Sequence, residues 1–254
     1  MESIDYLCKS RLLCHTTVLS ASAVAFFLGF QLAKIHPILL PLLPTLAAYP
    51  AYIWLVKENR LLEASALILE WALAVTLAMI GATLLYDGAL GPLVLKGEPY
   101  RAEMFRWVAT GKGPEGDISL FLAPKIRELV VFSAAAAATL GFAALLMGAI
   151  LLDYMNYYVG SLILAAKPGA ALQVALLAWP IYAILRVPGY VFLATALTRI
   201  VYVAVKEKKV VVEPQSRKLL LYAAVLIALD FVLKSTIANA FYQPLLKSLT
   251  QIRV

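Results

Sequence analysis

The stretch LLAWPIYAILRVPGYVFLATALTRI, residues 176–200, decides how this chain folds. It is almost wholly apolar, yet it carries Arg186 and Arg199 and is interrupted by Pro180 and Pro188. The apolar segment around it, residues 169–205, would measure ~55 Å as one helix against a bilayer core of ~30 Å. One straight crossing is therefore excluded. Either two crossings meet at a hinge over residues 187–189, or one broken helix runs at a strong tilt. In the hinged reading Arg186 marks a membrane surface and reaches head groups by snorkelling. Arg199 then stays ~9 Å inside and needs a partner.

The rest of the chain fits the same environment. Of 254 residues 63% are hydrophobic and 15% charged, with mean hydropathy +0.85. A soluble domain of this length could not cover so much apolar side chain, so the composition implies a multi-pass membrane protein. Its segments are apolar all round rather than alternating, which implies helices and not a barrel. The fold class is all-α: a polytopic transmembrane helix bundle of six or seven spans in a single membrane domain. The spans are expected at about 16–33, 37–56, 61–86, 129–152, 169–185, 188–205 and 219–239. The first resembles a signal peptide superficially, but its small residues lie inside the apolar run, so it reads as an uncleaved span. The second carries Pro37, Pro41, Pro44 and Pro50 and is expected to be irregular or kinked. In the fourth, Ser133, Ala137, Gly141 and Gly148 form a stripe of small residues suited to close helix contact.

Between the third and fourth spans, from Asp87-Gly88 onward, the apolar signal lapses for about forty residues. Within this loop Tyr100, Met104, Trp107 and Val108 share one helical face, with Arg101 and Arg106 towards the other. That is a short helix lying in the interface, or one packed on the protein's own end. Tyr154, Asn156, Tyr157 and Tyr158 read as interface anchors.

The net charge is +7. Residues 206–218 hold five basic and two acidic side chains, whereas the loop 87–128 holds six of each. The excess is a membrane-orientation signal rather than a nucleic-acid surface. Raw Lys and Arg counts favour six spans. The placement of the densest basic cluster and the Pro-Gly pair favour seven, and seven is the expectation. Cys8 and Cys14 match no zinc spacing and read as free thiols. The few asparagines and cysteines fit a thermophile source.

No motif for catalysis is present. GPEGDISL, residues 113–120, departs from the Gly-x-Gly-Asp of intramembrane aspartyl proteases, and GKGPEGD lacks the Ser or Thr of a P-loop. No catalytic, cofactor-binding or metal-ligating residue is assigned. The polar candidates are the ionisable residues inside the spans: Glu63, Glu70, Arg199, Asp230 and Lys234, with Asp153 at a span end. Asp230 and Lys234, four apart, are expected to pair with each other. Depth counting pairs Arg199 with Glu70.

In span number and loop placement the chain resembles the polytopic membrane subunits of conjugation-type secretion and DNA-transfer systems, such as the crenarchaeal DNA-exchange membrane protein. That resemblance implies a subunit of a transport or translocation assembly, working as pore wall or scaffold, and it transfers no residue roles. The expected partners are the lipid bilayer and other membrane subunits or further copies of the chain. Nucleic acid enters only through the resemblance. A membrane-embedded enzyme acting on lipid or peptide, and an ion-coupled carrier using Glu70 and Asp230, are the alternatives.

Overall fold

The computed structural model describes residues 2–86 and 90–252, so Asp87 and Gly88 lie outside the described residues. All regular structure among the described residues is helical. In chain order it comprises α1 (Glu2–Lys9), α2 (Arg11–Leu32), α3 (Leu39–Lys57), α4 (Leu61–Leu85), α5 (Gly97–Thr110), α6 (Ile118–Ala138), α7 (Phe142–Leu164), α8 (Ala171–Leu177), α9 (Ile181–Glu207), α10 (Pro214–Ile237) and α11 (Gln243–Leu249). Six of these are long and apolar enough to cross a membrane: α2, α3, α4, α7, α9, and α10 with its continuation through a π-helical turn into α11. Leucines and valines such as Val24, Leu73, Leu77, Val225 and Val232 point outward. An outward apolar face is what a lipid environment favours.

Cross-bundle contacts fix the direction of each helix. Arg199 of α9 donates to the carbonyls of Val56 (3.1 Å) and Lys57 (2.9 Å), so α3 and α9 finish at a common end. Asn156 of α7 donates to Thr76 Oγ1 of α4 (2.9 Å), and Gly160 lies against Thr83, so α4 and α7 run parallel. Residue Gly141, just before α7, sits against Tyr52 of α3 and Thr198 of α9. Thus α4 finishes at the far end of the bundle while α7 starts near the end where α3 finished. Helix α6 makes the return leg. On average it is as apolar as several of the six, but three closely spaced charges, Lys125, Arg127 and Glu128, set it apart from them. The start of α2 and the end of α10 consequently lie at opposite ends, here called the Lys57 end and the Gly111 end.

Several expectations are corrected. The segment 129–152 is not one helix: Leu140 (φ 50°) and Gly141 (φ 90°) form a left-handed turn that ends α6 and starts α7. A Cβ at Gly141 would fall 2.6 Å from Thr198 Oγ1 and 2.8 Å from Tyr52 Cε1, so both the backbone and the space require glycine. The hinge over 187–189 is absent. Helix α9 runs through Pro188, and the chain instead breaks at residues 178–180, between the short α8 and α9. Helix α3 likewise continues through Pro44 and Pro50, and the Thr45 hydroxyl donates to the Pro41 carbonyl (2.8 Å). Cys8 and Cys14 are not free thiols but joined in a disulfide: the break at Ser10 folds α1 back and brings their Cα atoms to 4.5 Å. In the central loop, α5 buries Met104, Trp107 and Val108 in a cluster with Tyr158, Leu162, Ala238 and Leu246. It thus caps the bundle's own Gly111 end. Asn156, Tyr157 and Tyr158 are buried within α7 rather than standing at an interface.

Candidate functional site

The ionisable side chains gather in the half of the bundle nearer the Gly111 end. Helix α9 presents Arg186 and Tyr190, four residues apart and so on one face. Helix α10 presents Asp230 and Lys234 at the same spacing. Helix α6 contributes Lys125 and Glu128, one turn apart. Glu115 comes from the loop 111–117.

Three ion pairs result. Arg186 grips Asp230 through two hydrogen bonds, Nε to Oδ2 at 2.7 Å and a terminal nitrogen to Oδ1 at 2.9 Å. Asp230 is 0% exposed and Arg186 9%, so the pair is shielded from bulk solvent. Lys125 Nζ lies 2.9 Å from both Glu128 oxygens, and Tyr190 donates to Glu128 Oε1 at 3.0 Å. Lys234 donates to Glu115 Oε2 at 2.7 Å, with its ammonium 4.9 Å from the Phe121 ring centre. Burial pushes the Glu115 carboxyl up, and the Lys234 ammonium and Arg186 guanidinium more than reverse it, leaving Glu115 below the ordinary glutamate value. Three acids offset three bases, so the cluster as a whole is neutral.

Space adjoins the charges. A cavity of about 70 Å³ has Lys125, Glu128, Arg186 and Tyr190 in its wall. A second, of about 30 Å³, is lined by Tyr100, Glu115, Tyr158 and Arg186. Each is large enough to admit water, and the lining of the smaller one is the more polar of the two. A third cavity, of about 650 Å³, is an apolar cleft between α4, α7, α8 and α9, with the exposed Leu73, Leu77 and Ile184 at its mouth. Trp179, at the break before α9, lines all three.

The structure brings together only two of the expected site residues, and not with each other. Asp230 binds Arg186 and Lys234 binds Glu115, because their carboxylate and ammonium turn to neighbouring helices. The expected Glu70–Arg199 pair does not form. Glu70 accepts from or donates to His15 Nδ1 at 2.6 Å, and Arg199 makes a double hydrogen bond with Glu213 (2.7 and 2.8 Å) at the Lys57 end. Glu63 pairs with Arg60 (2.6 Å) at that same end. Arg186 does not snorkel; it is the centre of the cluster. Lys125, Glu128 and Glu115 were missed because they lie in the segment read as a polar loop. Their i, i+3 spacing on a helical face is the signal that could have found the first two. Among the described residues no group of three His, Cys, Asp or Glu could hold a metal ion.

Fold and site together define an all-α polytopic membrane-type bundle with an ionised interior. No protein-family model, curated protein or solved structure matches this chain.

Proposed function

We propose that the chain is an integral membrane subunit of a transport or translocation assembly, acting in a cell membrane beside other subunits or further copies of itself. The cluster around Arg186 forms part of its polar path. The observation that carries this reading is the pair of cavities lying directly against the three ion pairs. Charges inside a membrane bundle are expensive and by default functional. Pairs that served only to fasten helices would be close-packed. An enzymatic reading lacks a nucleophile set beside a base. A nucleic-acid cargo draws no support from the site, whose cations are balanced by anions.

Cysteine substitution tests the path. Ala178 lines the smaller cavity, Ala183 both charged cavities, and Ala144 the larger one. A membrane-impermeant thiol reagent should modify Ala178→Cys, Ala183→Cys and Ala144→Cys in that order of decreasing rate, from the Gly111 side. Ala149, fully buried but outside both linings, is the control. Rates at all three no greater than at Ala149→Cys would overturn the proposal.

A further inference from the structure

One buried acid stands apart from every pair. Asp153 lies at the midpoint of α7, eleven residues (about 16 Å) from either end. It is 2% exposed, and neither carboxyl oxygen has a hydrogen-bond partner. Every other buried or half-buried acid of the membrane-crossing helices, among the described residues, has a basic partner. The helices packed against α7 are α3, α4, α5, α6, α8 and α9. Their charged groups are engaged elsewhere or lie away from it. On α4, Glu63 holds Arg60 and Glu70 holds His15. On α6, Lys125 holds Glu128, and Arg127 is exposed. On α5, Glu98 holds Arg101 and Tyr157, while Glu103 and Arg106 are exposed. On α9, Arg186 holds Asp230 and Arg199 holds Glu213, while Lys206 and Glu207 are exposed at its end. On α3, Lys57 lies over the Tyr202 ring, while Tyr49 and Tyr52 turn to Leu140 and Thr198. Helix α8 has no charged residue.

An ionised carboxylate so placed would be uncompensated in a low-dielectric interior, at several kcal/mol. One proton removes that penalty; a metal ion would need several oxygens, and no cluster of acids supplies them. The acceptor side of Asn156, one turn along the same face, is also unpartnered and suits a protonated carboxyl's O–H. We propose that Asp153 is an occluded proton-binding site at the membrane midplane, and that the proton is the coupling ion of the transport reading.

None of the three cavities has Asp153 in its wall, which is what makes the site occluded. Its neighbour Leu152, about 100° round the helix, lines both the 70 Å³ cavity and the apolar cleft. A rotation of α7 by one residue would therefore set the carboxyl where Leu152 stands, beside Lys125, Glu128 and Arg186. There the O–H bond breaks, the proton passes to water entering the cavity, and the carboxylate shares Lys125 and Arg186 with Glu128 and Asp230.

Infrared pH-difference spectra of the purified full chain in detergent test the site. The wild type should show the carbonyl stretch of a protonated carboxylic acid at neutral pH, and the isosteric Asp153→Asn should lose it. A wild type without the band, or a band that survives Asp153→Asn, overturns the proposal. So does a melting temperature raised by sodium or potassium chloride in the wild type but not in Asp153→Asn. If Asp153→Asn does not fold, dicyclohexylcarbodiimide, which attacks protonated carboxyls in apolar surroundings, reads the wild type directly. Mass mapping should find the adduct at Asp153, and its absence refutes the site. The inference rests on the transport reading only for the proton's use: a carboxyl band together with unreactive cysteines at 144, 178 and 183 would keep the proton site and remove the path.

Discussion

Breaking the Arg186–Asp230 pair should cost far more than replacing it. The bidentate contacts of 2.7 and 2.9 Å put the charge centres about 4 Å apart. At an effective dielectric of about 20 that is an attraction of about 4 kcal/mol, from which the desolvation of both groups must be subtracted. Arg186→Met leaves Asp230, fully buried, without its counter-charge, and Asp230→Leu leaves Arg186 in the same position. Each single change should lose about 3–5 kcal/mol. For a chain of this size that is a fall of roughly 6–20 °C in melting temperature. The double change Arg186→Met with Asp230→Leu removes both charges and their desolvation together. It should lie close to the wild type and well above either single variant, with a coupling of at least about 2 kcal/mol. Thermal unfolding in mild detergent, followed by intrinsic fluorescence, gives all four corners of the cycle. A double-variant loss equal to the sum of the two single losses would refute the pairing and the geometry built on it.

Gly141→Ala must hold φ near 90° and push into Thr198 and Tyr52, so a loss of about 2–5 kcal/mol is expected; a loss below about 1 kcal/mol would show that the α6–α7 turn does not need glycine. Denatured protein should take up a thiol-alkylating reagent at Cys8 and Cys14 only after reduction, and Cys8→Ser should lower stability by about 2 kcal/mol, given the short loop closed; mass spectrometry and thermal unfolding read the two. The hydrogen bond from Arg199 holds the Glu213 carboxyl below its ordinary value, so its contribution is complete above about pH 4.3 and fades as pH falls through the lower folded value. Glu213→Gln should remove up to about 1 kcal/mol near neutral pH, and the difference from wild type should shrink in acid; a difference that grows in acid would contradict the assignment.

Apolar runs located most of the bundle because side chains facing lipid or a packed helix leave a continuous hydrophobic trace. The trace failed where polar residues are buried in pairs. Lys125, Arg127 and Glu128 made the first half of α6 read as loop, although two of the three neutralise each other inside the structure. The same confusion moved the start of α7. Asn156 and the neighbouring tyrosines look like an interface by composition, but Thr76 of α4 receives Asn156 and the Tyr100 ring of α5 receives Tyr154 and Tyr158 in the interior. Pro188 misled in the opposite sense. A Pro-Gly pair is a turn signal in water, yet within the bundle α9 passes through it without a break. Depth counting placed Arg199 and Glu70 at matching levels but carried no information on which helix faces which. The partners Glu213 and His15 come from α10's approach and from α2, and only the packing of helices identifies them.

Trp179, the residue shared by the walls of all three cavities, is one of only four tryptophans in the chain. Its indole therefore samples charged space on one side and apolar space on the other. A variant with the other three tryptophans changed to phenylalanine would carry a single native fluorophore at that boundary. Its emission would move to the red as water enters the charged side and to the blue as a hydrocarbon chain fills the cleft. Heavy-atom quenchers delivered from water or on brominated lipid would tell the two faces apart. The break that ends α8 thus gives the molecule an optical gauge of what its interior contains.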